Sequence, residues 1–138
     1  MNNIVCKFGG SSLANSKQIL KVFDILKNDD RRIVILSAPG KINDRDIKVT
    51  DLLFELYNLS IKKQNYENII KEIKNRFIEI INGLNALFDI DKEIEIIINN
   101  INLNSDKDYI TSRGEYLISK IISNVLSANF IDAKDLHS

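Results

Sequence analysis

Apolar and polar positions divide this chain into strand-like runs near its start and long helix-like stripes after them. Residues 3–8 alternate, with Ile4, Cys6 and Phe8 on one face and Val5 and Lys7 on the other. Lys7 therefore projects near the C-terminal end of a short strand. Over residues 15–28, Ile19, Leu20, Val22, Phe23 and Leu26 recur at helical spacing, with Asn15 or Ser16 as N-cap. Ile33 to Leu36 are then all apolar, which fits a strand buried on both faces, as in a parallel sheet. Strand, helix, strand is a βαβ unit, expected to be right-handed.

The polar stretch "SAPGKINDRDIKVT" holds the only proline and reads as a long loop, a length often tied to function. A helix is expected from near Thr50 through "DLLFELYNL". From Tyr66 a stripe runs through Ile69, Ile73, Phe77, Ile80 and Leu84 to Phe88, with Gly83 weakening or ending the helix. Ile94, Ile97, Ile98 and Ile101 mark a shorter helix. Residues 106–128 predict another, on the pairs Leu117/Ile118, Ile121/Ile122 and Val125/Leu126. The ending "NFIDAKDLHS" reads as a loop and a third strand beginning near Phe130. Two strands and the start of a third are few for so many helices, so the pattern reads as an α/β domain cut partway through.

Composition narrows the partners. The 138 residues are enough for one domain, and 44% hydrophobic content is ordinary for a globular chain. Nineteen acidic and nineteen basic residues cancel, so no net charge draws the chain to nucleic acid or anionic lipid. No run approaches about eighteen apolar residues, and the N-terminus enters a strand directly; neither a membrane span nor a leader is expected. Cys6 is the only cysteine, so no disulfide or paired-cysteine metal site forms within the chain, and the cytoplasm is the expected compartment. The single histidine, His137, lies next to the end and is assigned no chemistry.

The candidate chemistry sits at "KFGGSS". Glycines after a strand and before a helix let backbone N–H groups turn toward an anion, at the end of a parallel sheet where ligands bind. The stretch is neither a P-loop nor GxGxxG. A tight turn that merely tolerates glycine is the competing reading, and Lys7 at the same end favours a phosphate site.

Four motifs in order, "KFGGSS", a second strand ending "LSAPG", "TDLL" and "SRGEYLIS", resemble the aspartate kinases of the amino-acid kinase family. Ser11 stands where threonine is commonest there, and Arg113 fills a variable position. The resemblance implies a three-layer α/β/α fold with a mainly parallel sheet, of the carbamate kinase-like kind, incomplete in this chain. Residues 1–138 would be the amino-acid-substrate side of the catalytic domain, without the nucleotide-binding half or regulatory ACT domains. The implied reaction is transfer of the ATP γ-phosphoryl to the β-carboxylate of L-aspartate, the first step toward lysine, threonine and methionine. The implied cofactors are ATP and Mg, the latter with no identifiable site in this chain, and a homo-oligomer is expected. The isolated chain is expected to be inactive and to bind MgATP weakly.

By the same resemblance, Lys7 is catalytic and binds phosphate with Gly9, Gly10, Ser11 and Ser12. Ser37, Thr50, Ser112 and Glu115 bind substrate: Ser37 orients the attacking carboxylate and Glu115 meets the α-ammonium. Each has a plainer reading. Lys7 is then a solvated strand residue, Ser37 a strand end and Thr50 an N-cap, while Ser112 to Glu115 form a capping box. A helix already under way at Ser112, starting near Ser105, would instead place Ser112, Glu115 and Ser119 on one polar stripe. Gly114 inside such a helix implies close packing or substrate approach. Two wider alternatives stand beside the leading one. One is another amino-acid kinase acting on glutamate, acetylglutamate or a nucleotide; the other is a non-catalytic α/β module that binds or assembles.

Overall fold

The computed structural model describes residues 4–27, 32–104 and 106–126. The elements run β1 (Ile4–Phe8), a 3-10 turn (Gly10–Leu13), α1 (Ser16–Leu26), β2 (Arg32–Leu36), α2 (Val49–Ile61), α3 (Glu67–Gly83), α4 (Ile90–Asn102), α5 (Lys107–Thr111) and α6 (Arg113–Leu126). β1 and β2 pair in parallel, with Cys6 opposite Val34, Lys7 opposite Ile35 and Phe8 opposite Leu36. The α1 crossover predicted between them is present. The third strand expected near Phe130 lies outside the described residues.

Partners in a parallel register share a face. Leu36 is buried, and Phe8 and Val34 pack against the core, so the face carrying Cys6, Phe8, Val34 and Leu36 is the covered one. On the other face Val5, Ile33 and Ile35 remain 58%, 50% and 47% exposed. The apolar run of β2 predicted burial on both faces, and among the described residues one face is covered.

Helices build the core. Val49, Leu52, Leu53 and Leu56 of α2 meet Ile73, Phe77 and Ile80 of α3 and Leu117, Ile118 and Ile121 of α6 in one buried cluster. The caps explain the boundaries. Asn15 accepts from Gln18 N at 3.0 Å, Asp89 from Lys92 N at 3.1 Å and Asp106 from Tyr109 N at 2.8 Å. Lys63, Asn85 and Asn104, just past the ends of α2, α3 and α4, take left-handed φ values of 54°, 52° and 60°. The single helix predicted over 106–128 is broken at Ser112 into α5 and α6. The apolar period continues through the break, which is why the pattern alone hides it.

The connection from β2 to α2 is long and tightly held. Ser37 N donates to Phe8 O at 3.1 Å, extending the ladder, and Val49 N donates to Pro39 O at 3.0 Å. Asp46 accepts from Ile42 N and Asn43 N at 2.8 and 3.2 Å. Arg76, from α3, donates to the carbonyls of Gly40 and Ile47.

Candidate active site

The two adjacent glycines of "KFGGSS" face different surroundings. A Cβ on Gly10 would lie 3.0 Å from Ala38 O and 3.2 Å from Gly40 Cα. A Cβ on Gly40 would lie 2.7 Å from the Gly10 carbonyl carbon, and Gly40 N donates to Gly10 O at 2.8 Å. Two backbones touch here, and neither position has room for a side chain. Gly9 is extended, with φ −78° and ψ 172°, and no atom of a described residue lies within 4 Å of where its Cβ would be. Close approach at Gly10 is thus to the chain itself, while Gly9 faces open space.

The same loop gathers the other motifs. A Cβ on Gly114 would come within 2.7 Å of Ala38 Cβ, 3.2 Å of Val49 Cγ1 and 3.3 Å of Leu53 Cδ1. The first turn of α6 therefore packs directly on the end of β2 and the start of α2. Close packing accounts for this glycine. Ser37 precedes Ala38, Thr50 follows Val49 and Glu115 follows Gly114. Three candidate substrate residues are each one position from a single three-way contact. Ser37 is half-buried, and Thr50 and Glu115 are exposed, so their polar groups remain open to a ligand. Thr50 lies in the first turn of α2, whose N-cap Lys48 makes no side-chain capping bond. With Val49 N taken by Pro39 O, the Thr50 and Asp51 N–H groups are those left without an intrahelical partner.

Ser112 is differently placed. Its hydroxyl donates to Tyr109 O at 2.8 Å and accepts from the Arg113 guanidinium at 3.1 Å. It closes α5 rather than lying within a continuous helix. Arg113 is only 4% exposed, donates Nε to Tyr109 O at 3.1 Å, and stacks 4.5 Å from the ring centroids of both Tyr109 and Tyr116. A residue read as filling a variable position thus fastens the joint between α5 and α6. Behind it, the buried Glu93 of α4 accepts from Lys120 Nζ at 2.8 Å and Tyr116 Oη at 3.3 Å. Lys120 Nζ also donates to Tyr116 Oη at 3.1 Å, and its bonds to Glu93 first and Tyr116 second raise the Lys120 pKa above its ordinary 10.5.

Lys7 is exposed on the uncovered sheet face and has no ion pair with any described residue. Ser11 and Ser12 open elsewhere, onto a cleft of about 290 Å³ that they line with Asn15, Gln18 and Lys41. Lys7 does not line it. The start of α1 is already satisfied by protein, since Glu79 accepts from Ser16 N at 2.9 Å and from Ser16 Oγ at 3.0 Å. The anion-attracting end of that helix is therefore met by a carboxylate from α3, leaving the turn over Gly9–Ser12 to any ligand. Lys41 and Arg113 were not singled out from the sequence as functional. A glycine-lysine pair after the second strand, echoing the lysine and glycines at the end of the first, was the available signal for Lys41.

A sequence profile of the amino acid kinase family matches residues 2–138. The chain is 41% identical over 81 residues to Aspartokinase 3 of Bacillus subtilis (strain 168), covering 58% of this chain and 18% of that protein. It is 33% identical over 90 residues to the aspartokinase of Chlamydia pneumoniae, covering 65% of this chain and 18% of that one. The crystal structure of Clostridium acetobutylicum aspartate kinase superposes with a TM-score of 0.89 at 42% identity, over 94% of this chain and 30% of that chain. E. coli aspartokinase III, crystallised with aspartate and ADP, shares the fold with a TM-score of 0.65 at 22% identity, over 91% of this chain and 29% of that chain. The chain spans less than a third of each of these relatives. With the α/β fold, the parallel β1–β2 pair and the glycine-held motifs in place, the chain belongs to the amino acid kinase family.

Proposed function

We propose that this chain supplies the amino-acid side of an aspartate kinase active site, in which ATP phosphorylates the β-carboxylate of L-aspartate. The convergence of the ends of β2, α2 and α6 on Ala38 carries the reading, because it sets Ser37, Thr50 and Glu115 around one spot. The β-carboxylate, with an ordinary pKa of about 3.9, is already ionised at neutral pH and needs no general base. The difficulty is bringing one anion against another. Catalysis is then positioning and charge neutralisation. Lys7, a cation with no described partner beside open Gly9, neutralises the transferring phosphoryl group. Ser37 and the N–H groups at the start of α2 hold the attacking carboxylate. Glu115 takes the α-ammonium. A carboxylate oxygen bonds to the γ-phosphorus as the bridge to ADP breaks.

The adenine and ribose contacts come from the rest of the enzyme, outside this chain. Magnesium arrives with ATP. Among the described residues no three histidine, cysteine or acidic side chains group together, and no step above passes through a metal.

The direct test is a chimera in which this chain replaces the matching segment of the Clostridium enzyme. Hydroxylamine trapping should report ATP-dependent acyl phosphate with aspartate and not with glutamate or acetylglutamate. A folded chimera that prefers another acceptor overturns the substrate assignment. A folded chimera with no kinase activity supports the non-catalytic alternative.

A further inference from the structure

We infer that the cleft below Ser11 and Ser12 is an oxyanion site in its own right, with Lys41 as its cation and a phosphate group as its ligand. Among the described residues, Lys41 is the only charged one lining the cleft. Around it stand two hydroxyls, from Ser11 and Ser12, and two carboxamides, from Asn15 and Gln18. The Asn15 carbonyl oxygen is spent on Gln18 N, which leaves its NH2 group as a donor. No described residue bonds to the Ser11, Ser12 or Gln18 side chains or to the Lys41 ammonium. A lining of one cation and several free donors fits a ligand with one negative charge or more and several acceptor oxygens.

Lys41 is also held in place. Gly40 before it is fixed by its hydrogen bond to Gly10 O and by Arg76 on its own carbonyl. Ile42 after it is fixed by Asp46. Two carboxylates bonded to residues at or beside the cleft face backbone donors: Asp46 takes Ile42 N and Asn43 N, and Glu79 takes Ser16 N. The ammonium is thus carried on a backbone whose position relative to the serines is set before any ligand arrives, which lowers the ordering cost of binding. Lys7, on the uncovered sheet face, is not part of this site. The inference rests on the chemistry of the cleft and not on the aspartate kinase reading.

The test is a titration of the 138-residue chain with inorganic phosphate, read by amide chemical shifts at constant ionic strength, with ADP and L-aspartate as parallel arms. Phosphate should move Ser11, Ser12 and Lys41 together. Lys41→Gln should weaken binding by about 10- to 100-fold, and Lys71→Gln, at a position exposed on α3 and outside the cleft, should leave it within about twofold. Ser11→Ala with Ser12→Ala gives an independent loss if the lysine variant misfolds. ADP moving the same amides identifies the ligand as a nucleotide phosphate, whereas a response to inorganic phosphate alone identifies the free anion. Unchanged affinity in folded Lys41→Gln overturns the inference. So do shifts centred on Lys7, shifts with L-aspartate but none with phosphate, or no response to phosphate.

Discussion

The two faces of the β1–β2 pair carry similar apolar side chains and meet different surroundings. On one, Phe8, Val34 and Leu36 join a core that continues into α2, α3 and α6. On the other, Val5, Ile33 and Ile35 are about half exposed, and Lys7 stands among them. The contrast recurs at the turn after β1, where Gly10 is filled by the backbone of Gly40 and Gly9 by nothing. Residues that hold the site together and residues available to act on a ligand are therefore separated by single positions in the sequence. Stability and activity should separate along the same line.

The largest expected effect is on the packed side. Leu36→Ala should cost about 2–5 kcal/mol in urea unfolding, and Ile35→Ala, one residue away, less than about 1 kcal/mol. Equal losses would erase the contrast between faces. Lys7→Ala should do the reverse, lowering kcat of the chimera by about a hundred- to a thousandfold with an unchanged melting temperature. Near-normal turnover would reduce Lys7 to a solvated strand residue. At the turn, Gly40→Ala should destabilise by about 1–3 kcal/mol through backbone overlap, and Gly9→Ala by under about 0.5 kcal/mol, as read by thermal melts. Glu115→Gln should raise the aspartate KM about 10- to 100-fold with the ATP KM within about twofold. A fall in melting temperature without that split would return Glu115 to a helix-capping role.

The smallest effect concerns support behind the site. The Lys120 pKa is raised in the folded chain, so its ion pair with Glu93 contributes stability below the ordinary 10.5 that is lost as pH rises through the folded value. Melts of the wild type and Lys120→Met should therefore converge on the alkaline side. A gap that stays constant through that range would mean that the lysine contributes only packing.

Local periodicity made most elements legible. β1, the start of α1 with its Asn15 cap, and the end of α3 at Gly83 all follow from patterns within a few residues. The motifs also marked which segments matter. What they did not reveal depends on residues distant in sequence. Gly10 signals a close approach, but its neighbour is Gly40, thirty positions on. The break at Ser112 depends on a hydroxyl bonded to Tyr109 O and Arg113, while the apolar stripe crosses it unchanged. The burial of Arg113 follows from two tyrosine rings one helical turn or less away, a spacing that the sequence displays but that only packing makes significant. Ile33 and Ile35 read as interior because an apolar run records what a strand can bury, not what is there to cover it.

The Arg113 stack has an optical consequence. The chain has no tryptophan and four tyrosines, and two of these, Tyr109 and Tyr116, clasp the guanidinium at the joint leading to Gly114 and Glu115. Rings held at fixed angles give near-ultraviolet circular dichroism that is lost when tertiary packing is lost. Half of the chain's tyrosine chromophores thus sit at this joint, Tyr116 next to the proposed ammonium contact at Glu115 and Tyr109 six residues before it. The native chain carries its own label at that place, and a ligand that shifts the first turn of α6 will write its binding curve into the tyrosine band.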